Sequence, residues 1–227
     1  TGVQTCALPI SRAVGPGIPH HVTQRGNRCQ QTFFIDKDYR SYLELMSEWC
    51  KKYEVETWGY CLMPNHVHLI VVPGTKDGLR LSIGEAHRRY TRRINFREGW
   101  RGHLWQGRFS SFMIDQRHLR ACIKYVELNP VRSGFVKNAE DWKWSSAGPH
   151  MKGKDDILVK TEPLLSIVKK NWKDFLRNDV NEAEIDLLRK HERTGRPLGK
   201  DSFIETIETL LNRRLKPQKP GPKRKEK

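Results

Sequence analysis

The stretch Met63-Pro64-Asn65-His66-Val67-His68-Leu69-Ile70-Val71-Val72 constrains this chain more than any other. It is an apolar run interrupted by two histidines, two residues apart. Side chains alternate across a β-strand, so His66 and His68 share one face while Val67, Leu69 and Val71 share the other. The second set must cover a core. The first set places two imidazoles side by side, which is a ready-made pair of metal ligands. An isolated His-x-His is more often a half-buried strand with incidental histidines, so its meaning depends on the rest of the chain.

The residues around it suggest how the chain is organised. Ile18 to Asn27 reads as a strand ending at a glycine turn. Asp36 is placed to cap a helix whose apolar positions are Tyr39, Tyr42, Leu43, Met46 and Trp49. Val55 to Leu62 reads as a strand, Pro64-Asn65 breaks it, and the histidine strand follows to Pro73, so the two should form a hairpin. Leu79, Ile83, Ala86, Tyr90 and Ile94 keep helical spacing through a second helix, and Arg108 to Ile114 suggests a fourth strand. The order β-α-β-β-α-β is that of a ferredoxin-like sandwich, an α+β fold with two helices on one face of an antiparallel sheet. A further helix runs from about Asp115 to Leu128 with Leu119, Cys122, Ile123 and Val126 as its buried stripe, and Pro130 should end it at Asn129. Helices are expected near 163–177, 181–192 and 203–213.

Charge narrows the function. Lys and Arg total 42 against 26 acids, a formal net charge of +16 that favours a polyanion partner. No stretch of the sequence approaches a membrane span, so no membrane role is expected. The cysteines, Cys6, Cys29, Cys50, Cys61 and Cys122, form no C-x-x-C pair and are odd in number. Neither a zinc knuckle nor a disulfide framework is indicated, and a reducing, cytoplasmic setting is expected. The opening Thr1–Ser11 reads as translated sequencing adapter, and residues 1–11 are set aside as non-native. A signal peptide would need a basic leader and a longer apolar core.

Tyr125 and Asn129 are four residues apart, so a helix stacks them on one face. Asn129 offers an amide oxygen, a modest ligand for Mg²⁺ or Mn²⁺. With His66 and His68 it would leave coordination positions open for phosphate oxygens, where the cation polarises a phosphodiester. Tyr125 could then act as a nucleophile. Taken singly, Tyr125 is better read as a packing residue and Asn129 as a helix cap. The conjunction favours a site.

Met63-Pro64-Asn65-His66-Val67-His68-Leu69-Ile70, followed by Tyr125-Val126-Glu127-Leu128-Asn129-Pro130-Val131-Arg132-Ser133-Gly134, resembles the REP-associated tyrosine transposases, relatives of the single-tyrosine HUH transposases of small insertion sequences. His21-Val22-Thr23-Gln24-Arg25-Gly26-Asn27, Leu104-Trp105-Gln106-Gly107-Arg108-Phe109 and Thr194-Gly195-Arg196-Pro197-Leu198-Gly199 match as well. One departure is Ser133, where the family usually has alanine. The resemblance implies that His66 and His68 are metal ligands, that Tyr125 is the nucleophile, and that Asn129 takes the third-ligand place, a glutamine in the insertion-sequence relatives. It implies cleavage of single-stranded DNA at palindromic hairpins, a 5′-phosphotyrosine intermediate, a free 3′-OH and rejoining without ATP. The catalytic domain is then expected over 12–140, a helical extension over 141–212 and a basic, disordered tail over 213–227.

DNA contacts are expected from Arg88, Arg89, Arg92, Arg93, Arg97, Arg101 and Arg108, with Trp100, Trp105 and Phe109 as candidates for stacking on bases. The arginines also fit a solvated helix face, yet Glu98 is the only acid between Ala86 and Arg108. Location on the nucleoid would follow. Two rival readings are a non-catalytic hairpin-DNA-binding protein of the same fold and a metal-dependent nuclease using water. Monomer and homodimer both remain open.

Overall fold

A computed structural model describes residues 13–177 and 181–216. The expected order is present. Strands β1 (His20–Arg25), β2 (Val55–Met63), β3 (His66–Pro73) and β4 (Ser110–Met113) form one sheet in the order β2-β3-β1-β4, with every neighbouring pair antiparallel. Helix α1 (Asp36–Lys52) joins β1 to β2, and α2 (Gly78–Glu98) joins β3 to β4. The register sets His68 opposite Thr23 and His66 opposite Arg25.

The two periodicities decide the layers. Val22, Val67, Leu69 and Val71 pack with Tyr42, Met46, Leu79, Ile83, Ala86, Tyr90 and Ile94 in one core, so α1 and α2 cover that face. Cys61, Ile70, Phe112 and Ile114 pack against α3 (Gln116–Glu127) on the other face, through Leu119, Cys122, Ile123 and Val126. His68 belongs to this second face, as strand alternation requires. Glycine at position 59 lets α3 approach β2, since a Cβ there would meet Ile123 Cδ1 at 2.5 Å.

Several local expectations are corrected. Helix α1 does begin at Asp36, but the carboxylate that ties down the turn is Asp38, which accepts from the Phe34 and Ile35 amides at 2.9 and 3.2 Å. Strand β4 is shorter than expected. Pro130 does not end the helical path. It sits in the first turn of α4 (Asn129–Arg132), and the break falls one residue earlier, at Leu128. Proline has no N–H for the carbonyl four residues back, yet it is well tolerated where a helix starts. Beyond it lie α5 (Ala147–Lys152), which was not expected, then α6 (Glu162–Val168), α7 (Trp172–Arg177), α8 (Glu182–Thr194) and α9 (Asp201–Leu211). The single helix expected over 163–177 is split at Lys169, whose φ of 51° is left-handed.

Among the described residues no helix is long and apolar enough to cross a membrane. The suspected adapter segment lies wholly outside the described residues, as does the tail beyond position 216.

Candidate active site

The β3 histidines, the α3 tyrosine and the α4 amide converge on the second face of the sheet. The Asn129 side-chain nitrogen lies 3.1 Å from His68 Nε2. The Tyr125 ring meets the His68 ring edge-on, with centroids 5.5 Å apart. The His66 and His68 rings are 5.0 Å apart. The four residues singled out by spacing are thus brought together, with Tyr125, Asn129 and His68 buried and His66 at the rim.

A third histidine completes the cluster. His21 Nε2 lies 3.0 Å from His68 Nδ1, and the two rings stack at 5.2 Å and 6°. A hydrogen bond to one imidazole nitrogen decides which nitrogen is left for other work. His21 therefore turns His68 Nε2 toward Asn129. In the same way, Asn65 Oδ1 sits 2.6 Å from His66 Nδ1 and leaves His66 Nε2 available. Period-two alternation from β1 could have pointed to His21, but only the strand pairing shows that β1 runs beside β3.

Burial keeps these imidazoles neutral. It pushes His66 down to about 4, helped by the Arg25 charge. It pushes His21 to about 3. His68 is held well below its ordinary value, by burial first and then by His66, His21, Arg132 and Arg25. A neutral imidazole is the form that ligates a metal. The residues therefore fit a divalent cation: His66 Nε2 and His68 Nε2 as nitrogens, and Asn129 through its oxygen after an amide flip. Among the described residues no cluster of three or more His, Cys, Asp or Glu side chains could hold a metal, so any such site relies on the amide.

Arg132 holds Tyr125 at two points. The Arg132 guanidinium lies 4.6 Å over its ring, and Arg132 Nη2 donates to the Tyr125 carbonyl at 2.5 Å. Burial raises the phenol above its ordinary value and Glu192 adds to that; Arg132 and a hydrogen bond from Arg189 oppose it. Glu192 and Arg189 both come from α8, in the extension. The Thr194–Gly199 segment anchors that helix. Leu198 donates to the Met113 carbonyl at 2.8 Å, and its own carbonyl accepts from Asp115 at 2.9 Å, which prolongs the edge of the sheet beyond β4. Ser110 Oγ donates to the Glu192 carbonyl at 2.5 Å. Nothing in the spacing of α8 connects it to Tyr125.

Beside His66 lies a polar cavity of about 150 Å³ lined by Arg25, Gln24, Gln106, Arg108 and Glu192. A larger one, about 620 Å³, lies at the far end of the β2–β3 hairpin with Glu54, Glu56, Asp155 and Asp156 in its wall. Its acids do not suit a polyanion.

The expected DNA contacts divide. Arg108 reaches the cavity beside His66. Arg88, Arg89, Arg92 and Arg93 are exposed on α2, which covers the opposite face of the sheet from Tyr125. Two of them are paired: Glu85, just ahead of the stretch that lacked acids, takes Arg88 at 2.6 Å and Arg89 at 3.0 Å. Arg97 binds the buried carboxylate of Asp38 and lies 2.6 Å from Glu98, so it ties the end of α2 to the start of α1. Arg92, Arg93 and Arg101 are exposed. Trp105 is corrected to a core residue. It is buried against His87, Tyr42, Tyr90 and Phe33, leaving no face for a base. Phe109 is buried too, whereas Trp100 is exposed.

Residues 18–129 match the family model described as transposase, IS200 like. A REP-associated tyrosine transposase of Haemophilus influenzae is 30% identical over 136 residues, which is 55% of this chain and 75% of that protein. The REP-associated tyrosine transposase of Escherichia coli is 26% identical over 97 residues, 42% of this chain and 55% of that protein. A solved structure of a REP-associated tyrosine transposase bound to a REP hairpin superposes with a TM-score of 0.52. It covers 66% of this chain and 90% of its own at 22% identity, a likeness of fold.

Proposed function

The chain belongs to the REP-associated tyrosine transposases, and on that premise we propose that it cleaves and rejoins single-stranded DNA beside palindromic hairpins through a 5′-phosphotyrosine. The observation that carries this reading is the buried cluster of Tyr125, His68, His21 and Asn129, in which a phenol, a neutral imidazole oriented by a second one, and an amide share one small volume. A bound Mg²⁺ or Mn²⁺ would supply Lewis-acid polarisation of the phosphodiester. His66, His68 and Asn129 would hold it. Tyr125 Oη attacks phosphorus, and its proton passes through solvent to the leaving 3′ oxygen. The bond from phosphorus to the 3′ oxygen breaks, and that oxygen takes up a proton to become the free 3′-OH. Rejoining runs the same exchange backwards, so no ATP is needed. Hairpin DNA is the proposed partner, the ligand named for the superposed relative.

Incubating the protein with Mn²⁺ and a hairpin carrying a single-stranded flank tests this directly. A denaturation-resistant protein–DNA adduct is expected. Cleavage without an adduct would favour a water nuclease, and tight binding without cleavage a hairpin-binding protein.

The metal assignment gives a sharper test. His66→Ala and His68→Ala each remove one of the few ligands, and each should abolish cleavage, as should excess chelator, with added Mn²⁺ restoring only the chelated wild type. Full activity in chelator would make the histidines structural.

The phosphate contacts expected from Arg92 and Arg93 on α2 are tested by salt. Arg92→Ala with Arg93→Ala should weaken binding to hairpins of every sequence alike. It should also flatten the slope of log K against log salt by roughly 0.7 to 0.9 for each phosphate contact removed. An unchanged slope would assign both residues to a solvated helix face.

A further inference from the structure

Tyr125 and Asn129 lie on opposite sides of the break at Leu128, so the helical ladder alone does not hold one relative to the other. Hydrophobic packing of α3 on the sheet is non-directional and leaves its rotation about its own axis soft. Something directional must set it. Between the two residues stands Glu127, fully buried, pointing away from the site into the extension. Three donors from outside α3 meet its carboxylate. Ser146 Oγ and His150 Nδ1 reach Oε1 at 2.6 and 2.7 Å, and Trp172 Nε1 reaches Oε2 at 2.7 Å. Ser146 Oγ also accepts from the Tyr60 amide of β2 at 2.9 Å, so the clamp is tied to the sheet itself. The His150 ring stacks on Trp172 at 4.2 Å, which fixes the two nitrogen donors relative to each other.

We propose that Glu127 is a positioning residue: its clamp by Ser146, His150 and Trp172 sets the rotation of α3, and with it the placing of Tyr125 and Asn129 against His68. This rests on the nucleophile and ligand roles proposed above. The chemistry of the carboxylate is specific. Its two oxygens are acceptors, and a hydroxyl, an imidazole nitrogen and an indole N–H converge on them. At 2.6 to 2.7 Å these hydrogen bonds are short, and short hydrogen bonds are directional. The clamp also gives the extension a place in the catalytic unit, because α5 and α7 supply two of the three donors.

Glu127→Gln keeps the shape but replaces one acceptor oxygen by an NH₂, which either opposes the Trp172 indole N–H or forces Ser146 and His150 to exchange their roles, so the clamp rearranges and α3 shifts with it. A displacement of about 1 Å at reacting groups costs on the order of 10²-fold in rate. The expected result is therefore a loss of about 10²-fold in adduct formation at saturating hairpin. Thermal stability and hairpin affinity, measured on the same samples, should keep most of the protein folded and bound. Adding Trp172→Phe removes the indole N–H that opposes the new amide, and the double variant should recover much of the lost rate despite having lost more contacts. A Glu127→Gln rate equal to wild type overturns the proposal. So does a rate loss matched by an equal loss of binding or folding with no rescue, which would mark the cluster as structural only. If Glu127→Gln does not fold, Trp172→Phe alone decides the matter. It removes one donor and leaves the carboxylate, so a slower rate with binding retained supports the clamp, and a wild-type rate overturns it. A Tyr125→Phe control separates the two levels. An adduct surviving there refutes the nucleophile, whereas adduct loss there beside a wild-type Glu127→Gln rate refutes only the positioning.

Discussion

Tyr125→Phe is expected to abolish the covalent adduct and to slow strand cleavage by at least about 10³-fold, the scale of loss when a nucleophile is removed from a cooperating set. Hairpin binding should survive. The substitution deletes one oxygen and leaves the ring in its place, edge-on to His68 and His21 and under the Arg132 guanidinium. The phenol is buried, and the interaction it loses on deletion is the hydrogen bond from Arg189. One such bond contributes about 1 kcal/mol net. Folding should therefore change little while the chemistry stops. Gel analysis after denaturation reads the adduct, and binding is measured on the same hairpin. Cleavage at the wild-type rate in this variant would transfer the attack to water. A wild-type protein that binds tightly and never cleaves would make the cluster a relic of catalysis.

Acidification from pH 7 to pH 5 is expected to destabilise the fold by several kcal/mol through two buried histidines. His20 and His87 are both buried, and burial lowers them to about 4 and about 3 respectively. In the unfolded chain both take a proton near 6.5. Below that value the unfolded state binds more protons than the folded one. Stability therefore falls as pH drops through 6.5, and goes on falling until the folded values are reached. At pH 5 each histidine costs about 2 kcal/mol, or about 4 kcal/mol for the pair. That is a large share of the roughly 5–15 kcal/mol typical of a domain. Neither residue lies in the Tyr125 cluster: His87 Nε2 lies 2.8 Å from the Tyr42 hydroxyl on the α1–α2 side, and His20 Nδ1 lies 2.7 Å from the Ile18 carbonyl. Urea denaturation at pH 7, 6 and 5 in the absence of metal measures the effect. His87→Asn should be less stable at pH 7 yet lose about 2 kcal/mol less on going to pH 5. The same loss in variant and wild type would show that His87 does not carry its share.

The fold was legible in the sequence wherever a local period met a single surface. Tyr39, Tyr42, Leu43, Met46 and Trp49 on α1, Leu79, Ile83, Ala86, Tyr90 and Ile94 on α2, and Leu119, Cys122, Ile123 and Val126 on α3 are all buried as their spacing required. The alternation of β3 put His66 and His68 on one face because backbone geometry leaves no other choice. Tyr125 and Asn129 came together for the same reason, since one helical turn separates them, although the ladder between them is broken.

What local spacing could not supply are the partners of those residues. His21 meets His68 across 47 positions, Glu127 meets Trp172 across 45, and Gln24 reaches Gly107 across 83. Such pairings depend on which strands lie side by side and which helix covers them. The same applies to the charges. Arg97 reads as a free cation until the tertiary structure seats it on Asp38, and Trp105 reads as a platform for bases until four aromatic rings enclose it. Glu192 and Arg189 are an ordinary polar pair on α8 until Leu198 adds to the edge of the sheet and brings them beside Tyr125. Period and motif determine which side of an element faces a core, because that is set by residues a turn or a pleat apart. Only the packed chain decides what waits on the other side, because burial and charge pairing are properties of segments that meet across tens of residues.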